Sequence, residues 1–159
     1  MIEITPLSAY VINRVKYRRL VLGISAYHLS QLLGKSQNFV INIENSDLPG
    51  QYNTHDYPTL AKSLDWQIHD LLPPDEADQK SDGTLVEKAV LSLSNETDMQ
   101  LVLKGMIDHG FFDSDKTITD TAKHLFIEGK AEEKIMVRTL NKLAANGLLE
   151  NKSSVYTKA

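Results

Sequence analysis

Cysteine is absent from this 159-residue sequence. Disulfides, thiolate metal sites and cysteine nucleophiles are thereby excluded, and a reducing, cytoplasmic setting is the expectation. Long apolar runs are missing as well. None approaches the roughly 18–20 residues that span a membrane, so no membrane partner is expected. The opening residues, MIEITPLSAY, have no basic cluster followed by an apolar core and do not read as a secretory signal. Nor is there an excess of positive charge, because the formal net charge is −4. That excludes a strongly basic nucleic-acid coat but leaves room for a local basic face. What is present is ordinary for a globular chain: 42% hydrophobic and 24% charged residues.

The charge is unevenly placed. Residues 1–72 are neutral, with 6 basic and 6 acidic side chains, whereas residues 73–100 carry 2 and 7. The acidic stretch opens with Pro73-Pro74-Asp75-Glu76 and runs to Gly83 without apolar periodicity, which reads as a linker over 73–84. It separates an N-terminal domain, 1–72, from a C-terminal domain, 85–159. Each is large enough to fold alone.

Residues 1–72 read as five short helices. Val11, Val15 and Leu22 mark the inner face of the first, and Gly23 stops it. Ser25 caps a second over 26–33, with Leu29 inward, and Gly34 ends it. Ser36 caps a third over 37–45, with Val40 and Ile43 inward. Thr54 caps a fourth, in which Pro58 falls within the first turn or so and Leu60, Ala61 and Leu64 face inward. A fifth spans 68–72. The C-terminal part predicts helices over 85–93 and 97–109, another capped by Thr119 and running through Phe126, and a long one over 132–146, with Ile135, Leu140, Leu143 and Ala144 inward. Gly147 closes it, and residues 148–157 predict a hairpin. The fold class is therefore mainly α, with a small α+β second domain.

The helix pair 25–34 and 36–45 has the spacing of a helix-turn-helix, whose second helix lies in a major groove. The run Gly23-Ile24-Ser25, Leu29-Ser30-x-x-Leu33-Gly34-Lys35-Ser36, Val40-x-x-Ile43-Glu44-Asn45 resembles the Xre/Cro-type phage-repressor helix-turn-helix family. So do Leu60-Ala61-x-x-Leu64 and His69-Asp70-Leu71-Leu72, and the resemblance covers about residues 9–72. It implies a five-helix core and sequence-specific binding of double-stranded DNA by a homodimeric transcriptional regulator. It further implies that Gln37, Asn38 and Asn42 face bases, a role their amides suit because they pair two-pronged with adenine. Ser36 and Lys35 then hold phosphate, and Arg19 occupies a position usually basic in the family. Other positions depart from the pattern: Ala26 replaces a common Gln, Ile41 a common Ser or Thr, and Leu20 and Val21 usually charged residues. These substitutions predict added exposed apolar area. Ile41 then meets either a thymine methyl or a protein partner, and the alternative reading is a protein-interaction module that keeps the fold without strong DNA binding. The C-terminal part more loosely resembles winged-helix domains, through Phe111-Phe112, the helix over 134–145 and the Gly147-Leu148-Leu149 entry to the hairpin. Order alone leaves open whether that domain dimerises or contacts DNA.

The remaining signals are bland. Arg14, Lys16, Arg18 and Arg19 form a basic cluster, and Lys134, Arg138 and Lys142 recur every four residues, a pattern more typical of a solvated or ion-paired face. The stretch from Asp113 to Thr117 hints at a calcium loop, but Ile118 stands at the required glycine and His124 at the required glutamate. No two of the five histidines have the i, i+4 spacing of a helical metal site, and no Gly-rich phosphate loop or Gly-x-Ser-x-Gly elbow is present. Neither a cofactor, a metal nor an enzymatic activity is expected.

Overall fold

A computed structural model describes residues 1–74 and 83–159. Positions 75–82, most of the expected linker, lie outside the described residues. The chain is mainly helical, with two small antiparallel sheets. It divides into two compact units, one of Met1–Arg19 with Ile24–Val90 and one of Leu20–Gly23 with Leu91–Ala159. Among the described residues no helix is long and apolar enough to cross a membrane.

The first unit contains strand β1 (Glu3–Ile4), helix α1 (Pro6–Leu22) up to Arg19, α2 (Ala26–Leu32), α3 (Phe39–Ile43), α4 (Tyr57–Ser63), α5 (Ile68–Leu71) and strand β2 (Val86–Glu87). Val11, Ile12 and Val15 of α1 are buried with Leu29, Val40, Ile43, Leu60, Leu64 and Leu71, so every helix contributes to one core. Ser25 caps α2 as expected, accepting the His28 N–H at 3.0 Å. The cap before α4 differs from expectation. Asn53, not Thr54, accepts a backbone N–H, and a short 3₁₀ turn over Thr54–Asp56 precedes Tyr57. Pro58 does lie in the first turn of α4.

The expected helix over 85–93 does not form. Val86 and Glu87 instead pair antiparallel with Ile4 and Glu3. A short apolar run suits a strand as well as a helix, and here the N-terminal strand supplies the partner. Two further contacts fix the segment. The Lys88 N–H donates to the Ile2 carbonyl at 2.8 Å. The Lys88 side chain, 2% exposed, donates from Nζ to the carbonyls of Leu48 and Gly50 at 2.6 and 2.8 Å. Burial lowers the pKa of this amine. Residues 83–90 thus group with the first unit, and the C-terminal segment of the second starts at Leu91 rather than at 85.

The second unit contains α6 (Glu96–Asp108), strand β3 (Lys116–Thr117), α7 (Ile118–His124), α8 (Lys130–Ala145) and the hairpin β4 (Leu149–Lys152) and β5 (Val155–Lys158). The sheet order is β3-β5-β4. The hairpin was legible in the sequence, but β3 was not. Met99, Val102, Leu103 and Met106 of α6 are buried with Phe112, Leu125, Met136, Leu140, Leu143 and Tyr156. Thr117, not Thr119, caps α7, in a reciprocal pair with Asp120 at 3.0 and 2.9 Å. The turn between β4 and β5 places Ser153 and Ser154 in the left-handed region, at φ 53° and 64°. Leu20 and Val21, expected to be exposed, are buried and group with this unit.

His124 sits against that last turn of α1. Its Nε2–H donates to the Val21 carbonyl at 2.9 Å, and its ring lies 4.4 Å from the Phe111 ring. Gly23 has φ +72°, and a Cβ there would fall 2.6 Å from His124 Cε1, so the position needs glycine on both counts.

Two predictions follow from these contacts. Lys88→Ala removes the donor to two carbonyls and is expected to cost about 2–3 kcal/mol, read as a lower denaturant midpoint with unchanged slope. The second concerns pH. Burial lowers the His124 pKa below its usual value, aided by Lys116 and His109 and opposed by the bond to Val21. The unfolded chain therefore takes up the proton first, and stability should fall as pH drops below about 6.5. His124→Gln should flatten that part of the stability–pH curve.

Candidate nucleic-acid interface

Gly34 and Ser36 shape the connection between α2 and α3. The Gly34 N–H donates to Gln31 O at 2.9 Å and the Lys35 N–H to Ser30 O at 3.0 Å, with Gly34 in the left-handed region at φ +67°. Ser36 does not cap α3 through its side chain. Its carbonyl accepts the Phe39 N–H at 3.0 Å, so residues 37 and 38 form a turn and the helix proper starts later than expected. Ser30 joins the two helices. Its hydroxyl donates to Ala26 O at 2.9 Å and accepts the Val40 N–H at 3.0 Å, in a fully buried position.

This arrangement gives α3 two faces. Val40 and Ile43 are buried. Ser36, Gln37, Asn38, Ile41 and Asn42 are exposed, with Ile41 at 52%. Asn38 and Asn42 lie one turn apart, the Asn42 N–H donating to Asn38 O at 2.9 Å. Among the described residues the side-chain amides of Gln37, Asn38 and Asn42 make no hydrogen bond to the protein. Asn45 is different, since its Oδ1 accepts the Asp47 N–H at 2.9 Å. The loop after α3 is held from outside by Lys88, and Ser46 Oγ accepts the Val90 N–H at 3.3 Å.

The expected basic groups are mostly committed elsewhere. Arg19 is the clearest correction. It is 6% exposed and forms a two-pronged ion pair with Glu44, Nε to Oε1 at 2.7 Å and Nη2 to Oε2 at 2.5 Å. Its Nη1 also donates to Ile24 O at 3.2 Å. The guanidinium is enclosed by the fold, so the phosphate contact expected of it has no exposed group to make it. The Tyr52 hydroxyl is buried beside this pair, and burial, reinforced by the Glu44 charge, pushes its pKa well up. Lys35 lies 3.4 Å from Asp56 and 5.4 Å over the Phe39 ring, and is partly exposed. Arg14 and Arg18 stack on Trp66 at 4.4 and 5.1 Å and donate to the carbonyls of Asp70 and Leu64.

In the second unit the row on α8 is likewise engaged. Glu96 pairs with Arg138 at 3.6 Å and with Lys142, and the Lys142 contact holds its carboxyl below the usual range. Lys134 is exposed. Glu44 and Lys88 are the site-supporting residues that sequence reasoning missed. Glu44 stood within the quoted motif but was given no role, and nothing around Lys88 marks it as buried. Among the described residues no group of three or more His, Asp or Glu side chains can hold a metal ion.

Comparison with family models, curated proteins and solved structures gives no match for this chain.

The enclosed ion pair generates a prediction. Arg19→Ala leaves the Glu44 carboxylate buried without its partner and should cost about 3–5 kcal/mol in denaturant unfolding. Replacing both residues by apolar ones of similar volume should restore most of that stability.

Proposed function

We propose that this protein binds double-stranded DNA sequence-specifically, as a homodimeric transcriptional regulator, with α2 and α3 acting as a helix-turn-helix and α3 entering the major groove. The observation that carries the proposal is the two-sided character of α3. One side is seated in the core by Val40 and Ile43, while the other presents Gln37, Asn38, Ile41 and Asn42 together to solvent. Side chains of these kinds read base edges. Ser30 supports the reading by fixing the angle of α3 to α2 through its buried hydroxyl. The order α6, α7, α8 and hairpin, with the sheet β3-β5-β4, supports a winged-helix arrangement in the second unit. A single helix-turn-helix buries under roughly 1,000 Å², and the neutral charge of residues 1–72 adds little from counterion release, so two copies on a two-fold site are expected.

A second reading has a specific observation behind it. Arg19 is turned inward, and Tyr27, Leu32, Ile41 and Leu48 are exposed on or near α2 and α3. An apolar surface of this kind with few free cations fits a protein partner.

Selection of bound sequences from a random duplex pool at moderate salt tests the proposal. The wild type should recover a two-fold symmetric motif. The Gln37→Ala/Asn42→Ala double variant should lose roughly 1–3 kcal/mol per contact on that motif and keep its non-specific binding. Equal weakening on all duplexes would remove base reading from α3.

A further inference from the structure

The chemistry exposed on α3 is selective as well as polar. Resting on the proposal that α3 lies in a major groove, we infer that its face selects A·T base pairs and discriminates against G·C. In the major groove adenine shows an acceptor beside a donor, which one carboxamide satisfies with both of its groups. Guanine shows two acceptors side by side, which a guanidinium or ammonium meets best, and cytosine shows a donor that a carboxylate accepts. The exposed face of α3 and of the turn before it carries three carboxamides, Gln37, Asn38 and Asn42, and one branched apolar chain, Ile41. It presents neither a guanidinium nor a carboxylate. Of the charges that sequence proximity would bring there, Arg19 and Glu44 neutralise each other inside the fold, and Lys35, though exposed, is paired with Asp56 and lies over the Phe39 ring. Ile41 complements the thymine methyl, the one apolar group in the groove, and would leave a G·C edge in contact with an apolar chain that cannot bond to it.

The same geometry sets the length of the read. Four exposed side chains are available to read bases, Gln37 and Asn38 from the turn before α3 and Ile41 and Asn42 from the helix itself, and each reaches about one base pair. Each copy is thus expected to read a core of at most about four A·T pairs.

The full chain is titrated by fluorescence anisotropy against the duplex recovered from the random pool and against variants of it. Each A·T to G·C exchange within the core should weaken binding about fivefold or more. Replacing thymine by uracil at the Ile41 contact, which deletes only the methyl group, should weaken the wild type and leave Ile41→Ala indifferent. Asn42→Arg, at an exposed position, should move the preference at one base pair from adenine to guanine, with thermal unfolding confirming that the fold is retained. A recovered motif whose core is G·C-rich, or a uracil effect that is the same in wild type and Ile41→Ala, would overturn the A·T inference while leaving DNA binding in place. Failure to enrich any motif, at moderate and at low salt, would overturn the DNA-binding proposal itself.

Discussion

The ion pair between Arg19 and Glu44 constrains the first unit more than any other contact. It brings together the end of the α1 stretch in that unit and the residue that closes α3, 25 positions later, by two hydrogen bonds in a site where both side chains are more than nine-tenths buried. Two charges removed from water must find each other with good geometry or the site is costly, so the pair specifies a position rather than merely favouring one. The third bond, to the Ile24 carbonyl, extends this constraint to the residue that precedes the α2 cap. From there Ser25 starts α2, and Ser30 passes the alignment to Val40. The exposed face of α3 depends on that sequence of contacts.

The same pair takes one cation out of the local basic face that the sequence left room for. Of the four cations in the α1 cluster, Arg19 is neutralised inside, and Arg14 and Arg18 spend their guanidinium groups on the Trp66 ring and on helix-end carbonyls. Lys88 likewise serves two carbonyls of the loop after α3. Cations here hold the scaffold together. What faces outward on α3 and the turn before it is uncharged: Gln37, Asn38, Ile41 and Asn42.

Local signals in the sequence were read in part, since Ser36, Thr54 and Thr119 do not provide the caps expected of them, and distant ones poorly. Ser25, Pro58 and the helix of α8 depend on a few neighbouring residues, and the structure agrees with the sequence at each. The apolar spacing of Val11 and Val15 likewise predicted the buried side of α1. The strand at Val86–Glu87 was misread because its partner is some eighty residues away, at Glu3–Ile4, and two-residue strands carry no periodicity. Arg19 was misread for a related reason. A basic residue in a basic cluster looks solvated until the fold brings a carboxylate to it. The exposed positions on and before α3 came from the resemblance to the helix-turn-helix family, and the burial of Val40 and Ile43 is consistent with them.

The division of the chain between its units has a further consequence. Neither unit is one uninterrupted stretch, because Leu20–Gly23 groups with Leu91–Ala159, and Ile24–Val90 with Met1–Arg19. A fragment ended at Leu72 gives up β2 and Lys88 and strands Leu20 and Val21 away from the residues they group with. A fragment begun at 85 carries an orphan strand and lacks a piece of its own interior. A cut between residues 72 and 85 therefore takes buried residues from both units.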